Sequence, residues 1–219
     1  MNRFSLSLLA GVAVLSMASA ASAADLLVQQ PSMPGFVDMG SSGAWDGAYI
    51  GGFVGYGWGS ANDDSGLFIL GNDMDLSGWT AGATLGANFT VAQGFVLGAA
   101  GDIAWAGIGG FEAPSQDVDI NWTGSLRGKA GFDAGAFMPY LTAGLAFAGA
   151  TASNGPTDST QMHFGWTAGA GVEVAVADQI SLDLQYRYSD YGTATYDLPT
   201  NPELDISTHA VTAGVNFKF

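Results

Sequence analysis

The chain has 219 residues, a formal charge of −15, 33 glycines and no cysteine, with 48% hydrophobic and only 11% charged residues. The lack of Cys excludes a disulfide framework, a thiolate metal site and a cysteine nucleophile. So acidic a chain does not track nucleic-acid phosphates, which require a basic footprint. Few charges, many glycines and high hydrophobicity together are unusual for a soluble globule and natural for strands that face lipid on one side.

The N-terminus reads as a processing signal. Met1 to Arg3 is a short basic start, Leu6 to Val14 an apolar stretch, and Ala21-Ser22-Ala23 a small-residue cleavage site. The apolar stretch is too short for a membrane-spanning helix. Residues 1–23 are therefore expected to be a cleaved signal peptide, and the charge becomes −16 once Arg3 leaves with it. Residues 24–44, with Pro31, Pro34, Gly40 and Gly43, read as a flexible periplasmic leader. Residues 45–219 remain for one domain of ordinary size.

Period-two alternation then recurs along the chain. The first segment, about Asp46 to Trp58, is rich in Gly, and Ile50, Val54, Tyr56 and Trp58 are assigned to its outer face. The second sets Trp79, Ala81, Ala83, Leu85, Ala87 and Phe89 against Thr80, Gly82, Thr84, Gly86 and Asn88. In the third, Phe95, Leu97, Ala99, Ile103 and Trp105 oppose Gly98, Ala100 and Asp102. In the fourth, Trp122, Leu126, Ala130 and Phe132 oppose Thr123, Ser125, Arg127 and Lys129. The fifth pattern is Leu141, Ala143, Leu145 and Phe147, and the sixth is Trp166, Ala168, Ala170, Val172 and Val174 against Thr167, Gly169, Gly171 and Glu173. The seventh opposes Leu182, Leu184, Tyr186 and Tyr188 to Asp183, Gln185 and Arg187. The eighth runs Val211, Ala213, Val215, Phe217 and Phe219 against Thr212, Gly214, Asn216 and Lys218.

The stretch Leu76 to Gly101 has no charge and the length of a membrane helix, yet it contains six glycines and alternates, which favours two strands and a turn. Each segment is long enough to cross a bilayer as a tilted strand. Trp79, Phe89, Phe95, Trp105, Trp122, Phe132 and Trp166 sit near strand ends, where interfacial aromatic girdles belong. A strand that ends the chain needs partners on both sides, and closure into a barrel supplies them. The fold expected is all-β: an eight-stranded antiparallel transmembrane β-barrel, an up-and-down meander.

Connection lengths orient it. Ala92-Gln93-Gly94, the stretch from Asp133 to Ala136 and Ala177-Asp178-Gln179 are short, whereas about 59–75, 106–118, 149–162 and 189–206 are long and polar. Short periplasmic turns and long outer loops are the rule, so both termini fall in the periplasm.

The four basic residues after the signal, Arg127, Lys129, Arg187 and Lys218, all point inward by parity, as do Asp102, Glu173 and Asp183. An eight-stranded barrel is only wide enough for side chains to fill, and buried charges must be paired or solvated. A lumenal ion-pair network is expected, with independently hydrated charges as the alternative; a wide diffusion pore fits neither. Most of the remaining acids, Asp63, Asp64, Asp73, Asp75, Glu112, Asp117, Asp119, Asp158, Asp197, Glu203 and Asp205, fall in the long outer loops. They read as a solvated surface, or as carboxylates that share divalent cations with lipopolysaccharide or attract a basic partner.

Other motifs dissolve on inspection. Asp73-Met74-Asp75-Leu76-Ser77-Gly78 copies the start of an EF-hand loop, but Thr84 stands where the bidentate Glu belongs. The glycines at Gly51, Gly52 and Gly55 lack the Lys of a phosphate loop. Of the two histidines, His163 and His209, the second lies near Ser207, yet both Ser207 and His209 share the parity of lipid-facing Val211 and no acid is placed to orient the imidazole. No catalysis, metal or cofactor is expected.

Trp45-Asp46-Gly47-Ala48-Tyr49-Ile50-Gly51 resembles the W-x-G-x-Y-x-G opening of the small alphaproteobacterial outer-membrane proteins of the porin family, whose fold is an OmpA-like eight-stranded barrel. Gly101-Asp102-Ile103-Ala104-Trp105 and Trp122-Thr123-Gly124-Ser125-Leu126-Arg127-Gly128 look like its third and fourth strands. Pro139 to Ala146 and Tyr186 to Gly192 look like its fifth and seventh. The family often carries an acid where this chain has Ala100. The resemblance implies an abundant outer-membrane surface protein that supports envelope integrity and often acts as antigen or adhesin; some relatives are described as haem binders or porins. The expected role is structural and surface-interacting, with a monomer in contact with outer-membrane lipids, lipopolysaccharide and, through Phe219, the barrel assembly machinery. The alternatives are a narrow channel governed by Arg127, Lys129 and Arg187, and a lipid-modifying enzyme.

Overall fold

A computed structural model describes residues 45–63, 73–92, 94–112, 116–154, 157–196 and 203–219; the expected signal and leader lie outside them. The strands are β1 (Gly47–Asp63), β2 (Asp73–Ala92), β3 (Phe95–Glu112), β4 (Gln116–Phe132), β5 (Phe137–Asn154), β6 (Thr157–Ala177), β7 (Ile180–Thr195) and β8 (Glu203–Lys218). Each pairs antiparallel with its sequence neighbours, and β1 pairs with β8 from Tyr49↔Lys218 to Asp63↔Leu204, which closes the barrel. Closure leaves no strand edge to pair with another chain. The last residue takes part in the seam: the Phe219 N–H donates to the Ala48 carbonyl at 3.0 Å.

The outward face follows the alternation. Ile103, Trp105 and Leu141 are more than 60% exposed, and Ile50, Val54, Tyr56 and Trp58 of β1 also face outward. Large apolar side chains at such exposure are what a lipid-facing surface requires. Cross-strand ring pairs consolidate the girdles, with Tyr56 and Trp79 at 5.4 Å and Phe95 and Phe132 at 5.6 Å, both edge-to-face.

The connections at the other end correct the expectation from sequence. Strands of 16 to 21 residues exceed the roughly 9–11 needed to cross hydrocarbon. Most of the residues assigned to long loops at 59–75, 106–118, 149–162 and 189–206 are in fact strand: β1 runs on to Asp63, β2 starts at Asp73, β5 reaches Asn154 and β8 begins at Glu203. Asp73, Asp75, Glu112, Asp117, Asp119, Asp158, Glu203 and Asp205 thus stand on paired strands, while Asp64 and Asp197 lie outside the described residues. Asp63, expected on an exposed loop, is buried.

The physical reason is a second core. Inward positions of these extensions carry Met74, Leu76, Ile108, Val118, Ile120, Leu204 and Ile206, which pack with alanines of β5 and with Tyr191 and Tyr196. Burying each large apolar side chain contributes about 1.5–3 kcal/mol, which holds the strands together beyond the membrane. A bulge in β4 between Ile120 and Trp122 adjusts the phase, so that even-numbered residues face inward above it and Thr123, Ser125, Arg127 and Lys129 do so below it.

Candidate functional site

Inward positions at membrane level bring polar side chains from most strands into one lumenal layer. Its centre is Asp102 of β3, whose carboxylate is almost wholly buried. Arg127 of β4 donates to Asp102 Oδ2 from Nη2 at 2.7 Å and from Nε at 3.2 Å, and Ser125 also donates to that oxygen. Arg187 of β7 reaches the same carboxylate at 3.2 Å. In a ring of eight strands β3 and β7 are diametrically opposite, so this ion pair crosses the whole lumen.

The layer continues as a directed chain of hydrogen bonds. Arg127 Nη1 donates to Gln185 Oε1 at 3.0 Å, Gln185 Nε2 to the Tyr140 hydroxyl at 2.9 Å, and Tyr140 to Asp183 Oδ1 at 2.6 Å. Asp183 is thus held by a phenol and not by a direct ion pair, although parity sets it among cations. A second group lies towards the end of the barrel with the short turns, where Lys129 meets Glu173 at 2.5 Å and stands 4.1 Å from the centroid of Tyr140. Ser181 and Asn216 also donate to Glu173, the latter at 3.1 Å. Hydrogen bonds that satisfy the remaining carboxylate oxygens are the condition under which a buried ion pair is tolerable. Lys218 lines a cavity of about 30 Å³ at the short-turn end with Glu173, Tyr49 and Asn88; a similar one of about 30 Å³ is lined by Asp183, Gly52 and Gly214. Each has room for a water molecule or two.

Two further levels were not legible as site residues. At the mouth with the short turns Trp45 folds against the inward side chains of Val96 and Met138, and its Nε1–H donates to Asp133 Oδ1 at 3.2 Å. Asp46 ties the same turn to β2 by accepting from Thr90 N and Oγ1 at 2.6 and 2.7 Å. Gly47, at a φ of 123°, carries the chain from this cap into β1 in a conformation that L side chains rarely adopt. Trp45→Ala is expected to cost about 3 kcal/mol of barrel stability, measurable as a lower urea midpoint in vesicles. At the outer end, His163 is buried against the apolar core, with Nδ1 donating to the Gly192 carbonyl at 3.1 Å and Nε2 accepting from the Tyr196 hydroxyl at 2.8 Å.

The residues weighed for catalysis are not assembled as a triad. His209 sits on the outer face, with Nδ1 2.7 Å from the Tyr186 hydroxyl and its ring stacked at 5.9 Å on Trp58. Above this belt, Asp75, Asp117, Asp119, Asp158, Glu203 and Asp205 line the outward side of the extensions. Partial burial, and then the neighbouring Asp117, raise the pKa of Asp119 above the ordinary carboxylate value. Among the described residues no cluster of His, Asp and Glu has the arrangement of a metal site.

Comparison with known proteins agrees with this architecture. Residues 10–219 match the family model described as outer membrane protein beta-barrel domain. The 25 kDa outer-membrane immunogenic protein of Brucella abortus is 36% identical over 211 residues, covering 94% of both chains. The 22 kDa outer membrane protein of Rhizobium leguminosarum is 33% identical over 181 residues, covering 81% of this chain and 80% of that one. Among solved structures, Neisserial surface protein A superposes with a TM-score of 0.51 at 22% identity, over 78% of this chain and 97% of the other. The eight-stranded barrel and its outer-membrane setting thus rest on geometry and kinship together: the chain belongs to the outer-membrane β-barrel protein family that includes these immunogenic proteins.

Proposed function

We propose that the chain is a sealed, monomeric scaffold of the outer membrane, which supports envelope integrity and carries an acidic surface for interaction outside the cell. The observation that carries this reading is the Asp102–Arg187 bridge across the lumen. Packed side chains lie above it and Trp45 lies beneath it, so each level removes the continuous water path that conduction needs. The outer core gives the extensions a packed body of their own beyond the membrane-level barrel. The outward carboxylates on it suit divalent cations shared with lipopolysaccharide, or a basic partner. Phe219, bonded into the seam, is in this reading the handle for the barrel assembly machinery.

Catalysis has no place in this account. Ser207 and His209 are on the lipid side, and the imidazole is oriented by a phenol and not by a carboxylate. A strain lacking the protein is expected to become more sensitive to detergent and chelator, and to recover with the wild-type gene. Unchanged sensitivity would overturn the envelope role. An altered lipopolysaccharide mass profile on overexpression would instead reveal an enzyme. The second reading, a narrow channel, draws support from the four inward cations, Arg127, Lys129, Arg187 and Lys218, which outnumber the carboxylates of Asp102, Glu173 and Asp183 by one and would favour anions.

A further inference from the structure

We propose that Trp58, Tyr186, Tyr188 and His209 form a docking site for the phosphorylated sugar headgroup of an outer-leaflet glycolipid. The proposal rests on the orientation adopted above, with the strand extensions outside the cell. In β8, His209 is paired with Trp58 of β1 and with Tyr188 of β7, so it has an aromatic ring on either side. The imidazole lies nearly parallel to the Trp58 ring, at 17° and 5.9 Å, and is 5.0 Å from Tyr188 and 6.0 Å from Tyr186. The Tyr186 hydroxyl engages Nδ1 at 2.7 Å, which fixes the ring and leaves Nε2 without a hydrogen bond to any described residue.

The charge distribution makes this position singular. Arg127, Lys129, Arg187 and Lys218 project into the barrel, and the charged groups on the outward side of the extensions are carboxylates. A phosphate at the outer interface is therefore repelled from above, and His209 is the base it meets among the described outward-facing residues. An aromatic belt needs only Trp and Tyr to anchor a strand at the interface. A histidine held between such rings adds a donor for phosphate, while the flat ring faces suit the C–H faces of a sugar. The site thus combines a hydrogen-bond donor with a stacking platform, a combination that matches a phosphorylated saccharide better than a plain phospholipid.

The test uses the full mature chain, refolded into phosphatidylcholine vesicles and labelled with ¹⁵N-histidine, to which diphosphorylated lipid A, dephosphorylated lipid A or phosphatidylglycerol is added. The His209 ring signals are expected to shift and saturate with diphosphorylated lipid A, while those of His163, buried in the outer core, stay fixed. His209→Phe, which keeps the stack and removes the donor, is expected to weaken lipid A binding about tenfold, the order of one charge-assisted hydrogen bond. Equal shifts with dephosphorylated lipid A or with phosphatidylglycerol would overturn the proposal, as would unaltered binding by His209→Phe. Heat-modifiable migration of each sample reports barrel insertion separately, so failure of the site is distinguishable from failure of the barrel reading.

Discussion

Asp102→Ala is expected to lower the unfolding free energy of the lipid-embedded barrel by about 3–5 kcal/mol, the range for removing one partner from a buried charge pair. The size follows from what is left behind. Arg127 and Arg187 both direct guanidinium groups at this carboxylate, and neither has a second carboxylate within ion-pairing distance among the described residues. Removing Asp102 therefore leaves two cations in a confined lumen, next to each other and without their counter-ion. Ser125 loses its acceptor as well. Urea titration in vesicles, followed by tryptophan fluorescence, measures the loss. Replacing both arginines by Met in the Asp102→Ala background is expected to recover much of it, because an apolar set of similar volume removes the unpaired charges. Failure of that recovery would show that the cost lies in packing and not in charge.

Gly165→Ala is expected to cost about 3 kcal/mol or more, at or beyond the upper end for overpacking, and to prevent formation of a heat-modifiable barrel. A Cβ at this inward position of β6 would collide with the carbonyl oxygen of Asp190 and lie 2.8 Å from the Tyr191 Cα, both backbone atoms of the paired strand β7. Backbone cannot rotate away as a side chain can, so the ladder itself must open. Gly52 supplies the control, since a Cβ there points outward and meets nothing closer than the Gly82 carbonyl at 3.8 Å. Gly52→Ala is expected to fold normally. Equal folding of the two variants would contradict the collision at Gly165 as the reason for a glycine there.

The membrane-level barrel was legible because lipid outside and polar groups inside impose one sense of alternation, as in Trp79 to Phe89 or Val211 to Phe219. That sense also put Arg127, Lys129, Glu173, Asp183 and Arg187 inside. The extensions look like loops in sequence because the sense inverts beyond the lipid, where water is outside and the interior is dry. Met74-Asp75-Leu76, Asp117-Val118-Asp119-Ile120 and Glu203-Leu204-Asp205-Ile206 alternate as strictly as the rest, with the polar residues outward. The first of these belongs to the segment that imitates a calcium loop, and its alternation has the period of a strand. Which cation meets which carboxylate was beyond the sequence, since parity fixes the side of a strand and not the distance across the lumen. Trp45 was beyond it too: a single side chain that folds back under the barrel belongs to no period.

Single-channel recording in planar bilayers tests the central claim that this lumen is closed. The wild-type protein, confirmed as inserted by its heat-modifiable migration, is expected to give no stable conductance steps. Reproducible steps that change in size or ion preference when Arg127, Lys129 and Arg187 are neutralised would contradict the sealed scaffold and establish the channel in its place.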